Sequence, residues 1–138
     1  GYELPTEICY KLISDGIYQV WGLPNIGIDN PRVAVQVKDS SIQYISLKTY
    51  EDQFPKLKSL LIQKYGKPTN SKSEVVKTKV GASFNNEKLY WQGANVVMVL
   101  SRYSNDIETS SLTIMNETAT EKALIDRDKS LKEAASKL

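Results

Sequence analysis

DQFPKLKSLLIQKYGKP, which runs from Asp52 to Pro68, is the stretch that predicts the architecture of this chain. Its apolar residues recur at steps of three and four, which places them on one stripe of a helix with 3.6 residues per turn. The stripe consists of Phe54, Leu57, Leu60, Leu61 and Tyr65. Asp52 can cap the first turn, Pro55 is tolerated there, and Gly66 and Pro68 stop the helix. We therefore expect a central helix over about residues 52–66, packed on one face of a sheet.

The segments before this helix predict a short helix and three strands. Pro5–Ser14 carries paired apolar residues one turn apart and ends at a Ser-Asp-Gly stop, which predicts a short N-terminal helix. Ile17–Trp21 is rich in branched and aromatic residues and predicts a strand. Arg32–Lys38 alternates between apolar and polar residues, and with Ile42–Leu47 it predicts a hairpin that leads into the central helix. Leu23–Pro31, rich in Pro, Asn and Gly, is expected to be an ordered loop.

The segments after the helix predict the rest of the sheet. Thr69–Ser73 is expected to be a polar loop and Glu74–Val80 a strand. Leu89–Gln92 and Val96–Tyr103 flank a Gly-Ala-Asn turn and predict a hairpin. The second of these strands is apolar on both faces, so we expect it in the middle of the sheet, and Ser110–Met115 returns beside it. The fold class is therefore α+β, a single twisted, mainly antiparallel sheet with helices.

The C-terminal segment predicts a third helix. Thr118-Ala-Thr-Glu121 is a capping box, and leucines repeat every seven residues after it, at Leu124, Leu131 and Leu138. We divide the chain into a single α+β domain over residues 1–117 and a C-terminal helix over 118–138. That helix either docks on the sheet or protrudes and pairs with a partner helix, which would make a homo-oligomer.

Composition excludes several chemistries. The chain has 138 residues, of which 41% are hydrophobic and 25% charged, and its longest apolar run has five residues, too short to cross a membrane. The lack of histidine and the single cysteine, Cys9, exclude histidine-dependent catalysis, histidine-ligated zinc and thiolate clusters within the chain. Phosphate-cradle and nucleophile-elbow motifs are also missing. We therefore expect no catalytic residues, no metal and no cofactor. Cys9 is expected to be a small buried residue of the N-terminal helix.

Carboxylates and lysines are the remaining catalytic candidates. Two acids across a cleft suffice for glycoside hydrolysis. However, Asp15, Asp29 and Asp106 all fall in predicted turns, where aspartate is favoured because it bonds nearby amides. Lys77 or Lys79 would be a nucleophile only with a lowered pKa, and the sequence favours a solvated lysine at both positions.

Aromatic residues are the better candidates, because large rings on strands can form a partner-binding surface. The candidates are Trp21, Tyr44, Tyr90, Trp91 and Tyr103. Tyr90 and Trp91 are adjacent on a strand and must point to opposite faces, so one of them is not under the helix. The alternative is that these rings simply cover the second face of the sheet.

Charge is unevenly distributed along the chain. The net charge is +2, yet residues 48–79 contain eight lysines and three acidic residues. Such a basic segment can attract an acidic partner, or it can be the solvated outer face of one helix and its loop. Without interleaved arginines or a groove-reading motif we expect no nucleic acid.

The central helix and the strands after it carry four short motifs: Phe54, Leu57 and Leu61; Tyr65-Gly66-Lys67-Pro68-Thr69; Trp91, Val97 and Val99; and Leu112-Thr113-Ile114. Together they resemble a module of small exported bacterial proteins of unknown function, periplasmic proteins or lipoproteins. In that module a helix ending in KYG-x-P-T precedes a strand with Trp and strands ending in L-T-I. The resemblance spans residues 42–115 and implies an α+β fold and export. The chain departs from it at Trp21-Gly22-Leu23-Pro24, where the module has a glycine-phenylalanine-glycine opening.

These observations predict an exported, non-catalytic binding protein of the periplasm or cell envelope. It would bind another protein, a toxin or an envelope component, through the open sheet face or an edge strand, and an immunity or inhibitor protein is one specific form. The rival class is an accessory envelope lipoprotein or small-ligand carrier, and a carboxylate-based hydrolase is the third. The chain begins at Gly1 without methionine, so we expect that a leader was removed or that the chain was cut.

Overall fold

The computed structural model of this chain describes residues 8–104, 106–116 and 136. These residues contain eight strands in one antiparallel sheet and one α-helix. The elements are β1 (Cys9–Ser14), β2 (Ile17–Trp21), β3 (Arg32–Lys38), β4 (Ser41–Tyr50), α1 (Phe54–Tyr65), β5 (Asn70–Lys77), β6 (Ser83–Gln92), β7 (Val96–Ser101) and β8 (Thr109–Asn116). The expected α+β class with an antiparallel sheet is confirmed, whereas the expected set of three helices is not.

The sheet consists of two four-stranded meanders that join at its centre. The strand order is β1-β2-β3-β4-β8-β7-β6-β5. We call β1–β4 the N-terminal meander and β5–β8 the C-terminal meander. The join is the antiparallel pair of β4 and β8, in register from Tyr44 opposite Met115 to Tyr50 opposite Thr109. Strand β7 lies between β6 and β8, the central position that its apolar run predicted.

Helix α1 packs on one face of the sheet, as expected, and lies over β6, β7 and β8. Phe54, Leu57 and Leu61 are buried against residues of β6, β7 and β8. Those sheet residues are Leu89, Trp91, Met98, Leu100 and Leu112. The ladder registers place all five on the same face, which we call the helix face. Burying about a dozen apolar side chains between helix and sheet supplies most of the helix's stability, because an isolated helix of this length is marginal in water.

The two ends of α1 differ in how well they match the prediction. Gly66 has a positive φ of 82°, and its N–H donates to the Ile62 carbonyl at 2.8 Å, so it ends the helix as expected. Asp52 does not cap α1; it lies in a 3₁₀ turn, Glu51–Gln53, directly before the helix. Tyr65, in the last turn, is exposed rather than part of the buried stripe.

The predicted N-terminal helix is wrong, because residues 9–14 form strand β1. Asp15-Gly16 is the two-residue turn of a hairpin in which Ser14 pairs with Ile17. An Asp-Gly pair favours such a turn because glycine readily takes the positive φ it needs, and Gly16 has φ 70°. The sequence analysis interpreted the same pair as a helix stop. Cys9 is consequently exposed on an edge strand rather than buried on a helix.

Two further expectations concern the segments after the helix. Thr69–Ser73 was expected to be a loop, but β5 begins at Asn70 and pairs with β6 over its whole length. Strand β5 is an edge strand with little burial, so its sequence is mostly polar and lacks the apolar alternation that predicts a strand. The predicted C-terminal helix over 118–138 lies outside the described residues, apart from residue 136, so its docking and the domain boundary at 117 remain predictions.

Candidate partner-binding face

The face of the sheet opposite α1 is the candidate functional site, and we call it the open face. Ladder partners point the same way, so residues that alternate with the core residues lie on this face. Val99 and Thr113, for example, pair between Met98–Ile114 and Leu100–Leu112, and are only partly buried. Within the described part of the chain, no helix covers this face.

Three of the five aromatic candidates lie on the open face. Trp21 is 44% exposed on β2, and Tyr44 and Tyr90 are half-buried on β4 and β6. The ladder places Tyr44 opposite Met115, and Tyr90 opposite Val99. These three rings are accessible from the side away from α1, which is what a partner-binding role requires.

The other two candidates have structural roles. Trp91 lies under α1, 7% exposed, and its Nε1–H donates to the Gly66 carbonyl at 2.9 Å. This places Tyr90 and Trp91 on opposite faces, as predicted. Tyr103 is also 7% exposed; its ring meets Phe84 edge to face at 5.9 Å between centroids. The buried Asn86 side chain accepts from the Tyr103 N–H and donates to its carbonyl, which fixes this residue at the end of β7.

The open face is basic. Alternation along the strands places six cationic side chains on it, and Glu74 is the acidic residue that the described strands contribute to it. The cations are Lys11, Arg32, Lys38, Lys48, Lys72 and Lys88. Glu74 pairs with Lys88 at 3.3 Å. The described ion pairs do not include the other five cations. The potential over this face is therefore positive, and more so around β1–β4.

A shallow cavity of about 360 Å³ opens on this face within the N-terminal meander. Its floor is made by Ala34 and Ser46, which pair across β3 and β4. Larger side chains surround these two small ones, and this difference in size creates the hollow. Arg32 and Lys48 form one side of it, and Tyr44 stands on the other.

The two edges of the sheet differ in character. Strand β1 ends the sheet on one side and carries exposed apolar residues, among them Tyr10 and Leu12. Strand β5 ends it on the other side with a mostly polar sequence, NSKSEVVK. Charged side chains such as Lys72 discourage strand addition, whereas an apolar edge favours it. The β1 edge is therefore the more receptive of the two.

The structure does not assemble the catalytic candidates into a site. Asp15 lies in the β1–β2 turn, Asp29 in the β2–β3 loop and Asp106 between β7 and β8, all in turns or bends as predicted. Lys77 and Lys79 are exposed. Among the described residues, no group of three or more His, Cys, Asp or Glu side chains could hold a metal ion. In the same part of the chain, no helix is both long and apolar enough to span a membrane.

Among the carboxylates that the structure describes, that of Asp106 has a shifted pKa, and Arg32 of the cavity contributes to the shift. The pKa of this carboxyl lies below its usual value because the Thr109 side chain and the Glu108 amide donate hydrogen bonds to it; Arg32 adds a weaker attraction. The Glu108 N–H lies 2.9 Å from Asp106 Oδ1. Asp106 is therefore bonded mainly within its own turn, and none of the described ion pairs joins it to a cavity cation.

Apart from Tyr44, sequence reasoning missed the residues that form the cavity. Gln19, Arg32 and Ser46 lie on three different segments and carry no motif. The available signal was the polar half of the β3 alternation, which places Arg32, Ala34 and Gln36 on one face. Only the strand registers show that Arg32 and Lys48 are opposite each other.

No family model matches this chain, and neither curated proteins nor solved structures give a significant match. The interpretation of the open face therefore depends on its own geometry and charge.

Proposed function

We propose that this protein is a non-catalytic binding protein that recognises an acidic partner protein through the open face of its sheet. The single observation that carries this is the combination of accessible aromatic rings with cations, most of them outside the described ion pairs, on a face that no described helix covers. Aromatic residues and arginine are the side chains that most often dominate protein interfaces. Positive charge around them would accelerate encounter with an acidic surface.

The aromatic and basic residues support this function jointly. Trp21, Tyr44 and Arg32 belong to neighbouring strands of the N-terminal meander, so one partner surface can contact all three. A stable interface needs roughly 800 Å² on each partner, and a face formed by eight strands offers an area of that order. The apolar β1 edge adjoins it and provides a second contact through strand addition.

The resemblance to small exported bacterial proteins supports a location in the periplasm or cell envelope. There the partner would be a toxin or an envelope component, and an immunity or inhibitor protein is the specific form of this proposal. The rival role, a small-ligand carrier or accessory lipoprotein, has less support, because the described cavities on the sheet are shallow and open rather than enclosed.

The test is affinity capture from the envelope fraction of the source cells, followed by binding measurements with the purified partner. Trp21→Ala and Tyr44→Ala should each weaken binding at least tenfold, because they remove rings from the open face. Tyr65→Ala is the control, since Tyr65 is an accessible ring, 52% exposed, that lies on α1. Circular dichroism establishes that each variant is folded.

The proposal requires one acidic protein that binds wild type and the Tyr65 variant alike, loses affinity for the open-face variants and dissociates as salt is raised. Equal affinity of all variants would contradict a site on this face. Preferential capture of nucleic acid would contradict a protein partner.

A further inference from the structure

We propose that the cavity on the N-terminal meander is a carboxylate-binding subsite, which receives an aspartate or glutamate side chain of the partner between Arg32 and Lys48. This inference depends on the proposed function and identifies where the partner's negative charge is recognised. It commits to a carboxylate on a protein rather than a free small acid.

The strand registers arrange the cavity in three rows. Arg32 is directly opposite Lys48 in the first row. Gln19, Ala34 and Ser46 form the second row across β2, β3 and β4. The small side chains of Ala34 and Ser46 leave the hollow. The third row contains Ile17, Gln36 and Tyr44. Successive rows are about 7 Å apart, so the long side chains of Arg32 and Lys48 can both reach a carboxylate that lies over the small residues of the second row.

The first row is an unfavourable arrangement in the unbound protein. Like charges directly opposite each other on neighbouring strands destabilise a sheet. The ion pairs among the described residues do not include either Arg32 or Lys48. The nearby carboxylate of Asp106 already accepts hydrogen bonds from Thr109 and Glu108. An anion placed between Arg32 and Lys48 would relieve this repulsion.

The donor set suits a carboxylate. A guanidinium can donate two parallel hydrogen bonds to a carboxylate, and an ammonium adds a compact positive charge. The Gln19 amide, the Ser46 hydroxyl and the Tyr44 hydroxyl can donate from the other rows. The apolar side chains of Ile13 and Ile17 line the same cavity and can cover the methylene groups of a glutamate. The volume of about 360 Å³ is enough for a side chain and small for a larger ligand.

The experiment is an amide NMR titration of the full chain at constant ionic strength, with N-acetylglutamate amide as the probe. N-acetylglutamine amide is the uncharged control ligand, and succinate represents a free small acid. The variants are Arg32→Gln and Lys48→Gln. Lys72→Gln is the matched control, because Lys72 lies on the open face but at the far edge of the sheet.

We expect saturable shifts at amides of β2, β3 and β4 with the glutamate probe and none with the glutamine probe. Arg32→Gln should weaken binding roughly tenfold or more and Lys48→Gln somewhat less, since charge-assisted hydrogen bonds exceed point-charge attraction. Lys72→Gln should leave the affinity unchanged. Absence of saturable shifts, or equal weakening by Lys72→Gln, would overturn the subsite. Much tighter binding of succinate would overturn its assignment to a partner side chain.

The two proposals can fail separately. If the probe does not bind but Trp21→Ala still loses the captured partner, only the subsite is wrong. If the probe binds at Arg32 but no acidic protein depends on Trp21 and Tyr44, the subsite stands and the proposed function fails.

Discussion

The two meanders have the same design, yet they are buried to very different extents. Each is four antiparallel strands joined in sequence, and each carries apolar residues on the helix face. In the C-terminal meander, Leu89 and Leu100 are almost fully buried under α1. In the N-terminal meander, Tyr10 and Leu12 lie on the same face and remain 73% and 56% exposed.

This difference shows that an apolar side chain on the helix face is buried where α1 packs over it, whatever the hydrophobicity of its strand. The chain enters α1 from β4, at the centre of the sheet, and the helix then packs over β6, β7 and β8. The outer strands β1 and β2 lie beyond its reach. The helix-covered half therefore provides the core, and the other half provides accessible surface.

The largest expected effect on stability comes from truncating a buried side chain in the middle of α1, where the helix contacts the sheet. Leu57 is 2% exposed, so Leu57→Ala should lower the free energy of unfolding by roughly 2–5 kcal/mol through lost burial and a residual cavity. Leu12→Ala, on the same face of the N-terminal meander, should cost less than about 1 kcal/mol. Urea denaturation of both variants measures this contrast, and similar losses would break the comparison between the meanders.

A second contrast uses the two tryptophans. Trp91→Phe removes the hydrogen bond to the Gly66 carbonyl and replaces a buried indole, 7% exposed, by a smaller ring. We expect a loss of about 1–3 kcal/mol. Trp21→Phe, on the exposed surface of the N-terminal meander, should change stability by less than about 0.5 kcal/mol. Thermal and urea unfolding report both values. An equal effect of the two substitutions would show that Trp21 is also part of a buried contact.

A smaller effect is expected for the ion pair that links α1 to the C-terminal meander. Lys58 Nζ lies 2.7 Å from Glu87 Oε1, but the side chains remain 37% and 32% exposed. Solvent screening should limit the coupling to below about 1 kcal/mol, decreasing with added salt. A double-mutant cycle with Lys58→Gln and Glu87→Gln measures it. A coupling that is larger and insensitive to salt would mean that the pair is desolvated and contributes to the core.

The smallest effect concerns pH and the β7–β8 turn. The Thr109 side chain and the Glu108 amide lower the pKa of Asp106 in the folded protein. The folded state therefore favours the carboxylate, and this stabilisation is present above the ordinary pKa of 3.8 and is lost as pH falls through the lower folded value. Asp106→Asn should lower the melting temperature slightly at neutral pH, and the two proteins should converge in strong acid. A deficit that persists unchanged in acid would contradict this.

Much of the fold could be predicted from the sequence where local signals are complete. The helix at 54–65 has its stripe, its proline and its glycine in one segment, and the β3–β4 and β6–β7 hairpins have alternation and short turns. The sequence missed β1, the first part of β5 and the first part of β6, and β1 and β5 are both edge strands. An edge strand has little burial, so the alternation that would reveal it is weak or absent.

The candidate site could be predicted only in part. Trp21, Tyr44 and Tyr90 were identified as strand aromatics, but the sequence could not separate them from Trp91 and Tyr103, which the structure buries. The cavity cations were not identified. Arg32 and Lys48 are distant in the chain, and their juxtaposition depends on a register that includes a bulge in β3–β4 pairing.

The sequence by itself determined a helix, most of the strands and the absence of histidine chemistry, because these depend on residue identity and on spacing within one segment. Only the tertiary structure decided which face of the sheet is covered, which rings are accessible and which cations meet. These properties depend on the order of strands in the sheet and on where one helix packs, and both are set by contacts between residues far apart in the chain.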